Sequence, residues 1–134
     1  MKQCSVLIVN CGEEAPYRQG LERIGFRVSE TCEWPADEVV RTCEVVIVLF
    51  RHLQTITMLA ARMRAKPHFG HRVLIAVVPS TASAEERRTA IGSGFDDVVS
   101  ESKDARLLIA RILRQLRSRP EHRCFLPDRR RRAA

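Results

Sequence analysis

The run Glu44 to Phe50, reading Glu-Val-Val-Ile-Val-Leu-Phe, constrains the fold more than any other stretch of the chain. Its six successive apolar residues, rich in Val and Ile, show no alternation and are too few for a convincing helix. That is the pattern of a strand covered on both faces, which belongs in the middle of a parallel sheet. Open α/β sheets place ligands and chemistry at the carboxyl ends of their strands. This strand ends in Leu49 and Phe50, with no polar reactive group.

The 134 residues fit one domain, long enough to bury roughly two thirds of the unfolded surface. No apolar run approaches the roughly 18 residues that a membrane helix needs, so no membrane insertion is expected. Cys4 to Val9 is a short strand-like run without a cleavage region, and no signal peptide is expected. The five cysteines, Cys4, Cys11, Cys32, Cys43 and Cys124, form no Cys-x-x-Cys pair and lie partly in apolar runs. They read as reduced thiols of a cytoplasmic protein, not as a disulfide framework. The net charge of +7 is localised: residues 1–104 carry 13 Lys/Arg against 14 Asp/Glu, residues 105–134 carry 10 against 2. A near-neutral domain over residues 1–119 is therefore followed by a basic tail, residues 120–134, expected to be flexible.

In chain order, Ser5 to Val9 predicts a first buried strand, followed by an Asn10-Cys11-Gly12 turn and a helix with Pro16 near its first turn and Tyr17, Leu21 and Ile24 inside. Gly25 ends that helix, and Phe26 to Val28 begins a second strand. Trp34-Pro35 opens a brief helix containing Val39 and Val40; after the third strand, Ile56, Leu59 and Met63 predict a helix from Leu53 to about Met63. Val73 to Val78 is a fourth buried strand. Ser83 and Glu86 form a capping box that starts a helix running to Gly92 or Gly94. Asp97 to Ser100 is a fifth strand, and Asp104 is expected to cap a final helix with the inner stripe Leu108, Ile109, Ile112, Leu113 and Leu116, ended by Pro120. Five alternations with short connections predict right-handed βαβ units, hence a doubly wound parallel sheet with helices on both faces.

Val6 to Val9, Gly25 to Val28, Glu44 to Val48, and Gly94-Phe-Asp-Asp-Val-Val99 leading into the last helix together resemble the response-regulator receiver domain of bacterial two-component signalling, the CheY-like family. The resemblance covers about residues 4–118 and implies a flavodoxin-like five-stranded sheet of order 2-1-3-4-5 with five helices. It also implies a phosphorylatable Asp ending the third strand, an acidic pair after the first that holds Mg2+, a Ser or Thr after the fourth and a Lys after the fifth. Hard oxygen ligands suit Mg2+, while hydroxyl and ammonium groups bind phosphoryl oxygens. Here the acidic pair falls on Asn10 and Cys11, the acceptor on Leu49 and the hydroxyl on Pro79, with Ser80 adjacent. The Lys position falls on Glu101, whose carboxylate would repel a phosphoryl group. Val98 stands where an aromatic residue usually reports activation. The fold is carried over, and the phosphotransfer is not: a degenerate pseudo-receiver is expected.

Other residues carry weaker signals. Glu13 and Glu14 could help Asn10 hold a cation, but first-turn carboxylates commonly just favour a helix N-terminus. His52 reads as a solvated loop residue beside Arg51 rather than as a phosphoacceptor. His68 and His71 are a ligand-like pair without a third ligand in sequence, so no metal is expected. Cys11 lacks a nearby base and reads as a buried thiol. Arg129, Arg130, Arg131 and Arg132 offer bidentate donors for phosphate and faces for stacking, or merely a solvated tail.

Three functions fit these residues. The first is a phosphorylation-independent signalling protein that docks on a kinase or other regulator through its fourth helix, fifth strand and fifth helix, with a homodimer left open. The alternative is a receiver-like effector that binds an anionic nucleotide, such as cyclic di-GMP, or nucleic acid through the Arg-rich C-terminus. The third, an enzyme on a flavodoxin-like scaffold holding a flavin, lacks any catalytic constellation. The expectation is therefore no enzymatic activity, no cofactor and the first reading.

Overall fold

Each apolar run identified above is a strand flanked by helices, and in three of the five strands both faces are occupied. A computed structural model describes residues 3–10, 17–32, 37–50, 72–102 and 104–119. Its elements are β1 (Ser5–Asn10), α1 (Tyr17–Arg23), β2 (Arg27–Thr31), α2 (Asp37–Arg41), β3 (Val45–Leu49), β4 (Val73–Val78), α3 (Ala84–Gly92), β5 (Asp97–Ser100) and α4 (Arg106–Arg117). The helix expected over Leu53 to Met63, the Asn10-Cys11-Gly12 turn beyond Asn10, Trp34-Pro35 and the tail from Pro120 lie outside the described residues.

All five strands are parallel, in the order β2-β1-β3-β4-β5. Alternate residues of the three central strands feed two separate clusters. Val6, Ile8, Val45, Ile47, Val73, Ile75 and Val77 point to one side, where Tyr17 and Leu21 of α1 and Leu108, Ile112 and Leu116 of α4 cover them. Leu7, Val9, Val46, Val48, Leu74, Ala76 and Val78 point to the other, beneath Val40 of α2 and Ala90 of α3. A strand that buries every side chain has no polar face to show, so its sequence cannot alternate. At the close approach of α1 to the start of α4, a Cβ on Gly20 would stand 2.7 Å from that of Ala105.

One expectation is refined and one needs correction. The second strand, expected to begin at Phe26, runs over Arg27–Thr31. β2 is an edge strand, with Val28 its one buried residue, and its polar Ser29 and Glu30 give no hydrophobic signal. The final helix is capped at Ala105 without a side-chain bond; Asp104 Oδ1 instead accepts the amide of Arg106, two residues on, at 3.0 Å. By contrast, α3 begins with the expected box: Ser83 Oγ accepts the Glu86 amide at 3.1 Å and Glu86 Oε1 accepts the Ser83 amide at 3.0 Å. Gly25 and Gly94, with φ of 102° and 120°, turn the chain after α1 and α3 in a region that disfavours any side chain.

Candidate functional site

The register assembles most of the singled-out positions at one edge of the sheet. Asn10 and Leu49, the last residues of β1 and β3, are direct partners, and Leu49 is in turn opposite Val77 of β4. Pro79 follows β4 immediately and is half-buried, with its carbonyl accepting the Ala82 amide at 3.0 Å. Glu101 follows β5; its amide donates to the Val78 carbonyl at 2.8 Å and its residue is exposed. Four of the five positions thus meet at the carboxyl ends of four adjacent strands. Cys11, like Glu13, Glu14, His52, His68, His71 and Arg129 to Arg132, lies outside the described residues.

The tip of the central strand is hydrocarbon. Leu49 is half-buried and packs on the cluster under α1 and α4, continuing the row of Val45 and Ile47. Phe50 turns to the opposite side, is 7% exposed, and meets the Phe95 ring edge-on at a centroid distance of 5.6 Å. Its amide donates to the Val77 carbonyl at 2.9 Å, so the backbone at the tip is satisfied within the sheet. Among the described residues no group of three His, Cys, Asp or Glu side chains could hold a metal ion.

Two contacts at this edge were not foreseen. Tyr17, read from sequence only as an inner-face residue of α1, is 4% exposed, and its hydroxyl accepts the amide of Ser102 at 3.0 Å. A buried tyrosine seeks a partner for its hydroxyl, and that chemistry was the available signal. The bond crosses from α1 to the loop after β5 that carries Glu101. On the other side of the sheet, Arg87 of α3 donates to Ser100 Oγ at the end of β5. No periodicity announces that pair, since it joins residues 13 apart through the fold.

The opposite, amino edge is laced by carboxylates. Glu44 Oε2 accepts the Ser5 amide and Asp96 Oδ2 the Leu74 amide, each at 2.7 Å. Asp96 Oδ1 also holds Arg119 at 2.8 Å, and Arg119 donates to the Arg72 carbonyl at 3.2 Å. Neighbouring Asp97 pairs with Arg111 at 3.5 Å. The Asp-Asp step that carried the family resemblance thus ties β5 to α4 and to β4, at the end away from Leu49.

No family model and no curated protein matches this chain. Solved structures do. An orphan response regulator of H. pylori is similar at 21% identity and a TM-score of 0.62, with 81% of this chain and 92% of that one covered. A response regulator from Thermotoga maritima gives 15% identity and 0.68, covering 84% and 97%, and one from Burkholderia multivorans 16% and 0.60, covering 89% and 98%. Strand order, parallel pairing and these likenesses converge: the chain has the CheY-like receiver fold.

Proposed function

We propose that the chain is a pseudo-receiver, a signalling module that works by protein contact without phosphorylation and without enzymatic activity. The observation that carries this reading is Leu49, a half-buried hydrocarbon side chain at the tip of β3 and opposite Asn10. Phosphoryl transfer to a receiver needs a carboxylate nucleophile there, with cationic partners around it. Leu49 can form no acyl phosphate, and Glu101 brings negative charge where the product would need positive.

With hydrocarbon at the acceptor position, the proposed module acts through one standing conformation. A ligand shifts only an equilibrium whose states it binds differently, so regulation falls to the abundance and occupancy of its partner. That partner, a kinase or another regulator in the cytoplasm, would dock on the face formed by α3, β5 and α4. On α3, Ile91, 46% exposed, offers an apolar anchor three residues after the exposed Arg88.

Beryllofluoride with Mg2+, which mimics an acyl phosphate, tests the reading against the amide NMR spectrum of the full chain. The spectrum is expected to stay unchanged. Saturable shifts at Leu49, Phe50, Ser80 and Glu101 would refute it.

A further inference from the structure

The final helix carries a second surface. Because Leu108, Ile112 and Leu116 face the sheet, α4 turns Arg106, Leu107, Ala110, Arg114 and Arg117 outward, and all five are exposed. The helix contains no acidic residue. Arg111 is engaged by Asp97 at 3.5 Å. Arg106 and Arg114 make no ion pair with another described residue, and Arg117 engages only the Leu113 carbonyl, through Nε at 3.4 Å. At about 1.5 Å per residue, Arg106 and Arg117 span roughly 16 Å of one ridge.

We propose that this ridge binds the phosphate backbone of double-stranded nucleic acid. All ten basic residues of 105–134 are arginine and none is lysine. A guanidinium fork matches two phosphate oxygens at once, where an ammonium acts as a point charge. A helix about 10–12 Å across also fits a major groove about 12 Å wide. Leu107 and Ala110, between the arginines, are small enough to lie against sugar or a thymine methyl group. The inference does not depend on what occupies the carboxyl edge of the sheet.

Fluorescence anisotropy of a labelled mixed-sequence duplex, titrated with the full chain over a salt series, tests it. Three variants are compared: the wild type, the triple change R106Q, R114Q and R117Q, and the quadruple change R129Q, R130Q, R131Q and R132Q, with thermal melts to show that each is folded. The triple variant should bind roughly tenfold or more weakly at moderate salt. Its log–log salt slope should be shallower by about 2.7, or 0.9 for each of three phosphates. Absence of duplex binding by the wild type, a wild-type slope in the triple variant, or loss of all salt dependence in the quadruple variant would overturn the proposal. So would a polyglutamate chain of matched charge that binds as tightly as the duplex, which would assign the ridge to acidic proteins.

Discussion

Cys43 shows how a single buried side chain sets a pH limit. It is 3% exposed, ahead of β3, and its Sγ donates to the Val39 carbonyl at 3.4 Å. Burial pushes its thiol above the ordinary range, with Glu44 adding to the rise against the opposing effects of Thr42 and Arg72. A pKa raised by folding means that the native state holds this proton more tightly than the unfolded chain does. The corresponding stability is complete below the unfolded thiol's pKa, about 8.5, and is lost as pH rises through the folded value. Urea unfolding between neutral and alkaline pH should therefore show a decline that the Cys43→Ala variant lacks. Parallel pH profiles for the two proteins would contradict the assignment. The sequence marked Cys43 only as a reduced thiol; its burial and its bond to α2 depend on how one turn of helix meets the strand. The same divide separates Leu49 from Tyr17. Leu49 was readable as the tip of a strand, whereas Tyr17 acquires its second role from Ser102, 85 residues along the chain.

At the scale of elements, α1 and α4 lie close enough at Gly20 and Ala105 that the glycine is required by space. Its replacement by alanine poses a contest of magnitudes. Helix propensity favours Ala over Gly by about 1 kcal/mol, while forcing a methyl into a well-packed contact costs about 1–3 kcal/mol. The obstructing atom, 2.7 Å away, is the Cβ of Ala105 and cannot swing aside, so the steric cost should win. Gly20→Ala is expected to destabilise the protein by about 1 kcal/mol or more in denaturant unfolding; unchanged or raised stability would show that the helices can separate freely. Sequence periodicity had placed both helices and their inner stripes. It was silent on their distance, which follows from residue sizes at one crossing point. The far end of the edge strand β2 was hard to read for a related reason: pairing on one side leaves most of its side chains exposed and its pattern polar.

In the whole molecule, the central strands serve two clusters at once. Val45 and Ile47 belong to one and Val46 and Val48 to the other, so neither side can melt without disturbing the strand that supports its neighbour. Small domains built this way unfold in one step. Native-state hydrogen exchange should give the slowest amides of β1, β3 and β4 one common opening free energy. Ile47→Ala should lower them all together, by about 2–5 kcal/mol. A β4 that kept its protection while β1 lost it would show two independent halves. The buried strands and their parallel sense could be read from runs without alternation, since burial on both faces leaves that mark, whereas the sheet order was implied by the resemblance to receiver domains. What the edges do could not be read, because it is decided where the runs stop.

The anchoring of Arg119 by Asp96 and by the Arg72 carbonyl gives the molecule a direction. Position 119 itself therefore stands at the pole opposite Leu49 and Glu101. A fluorescent or affinity partner attached there would leave the far end of the sheet unobstructed, and the two poles can be addressed separately.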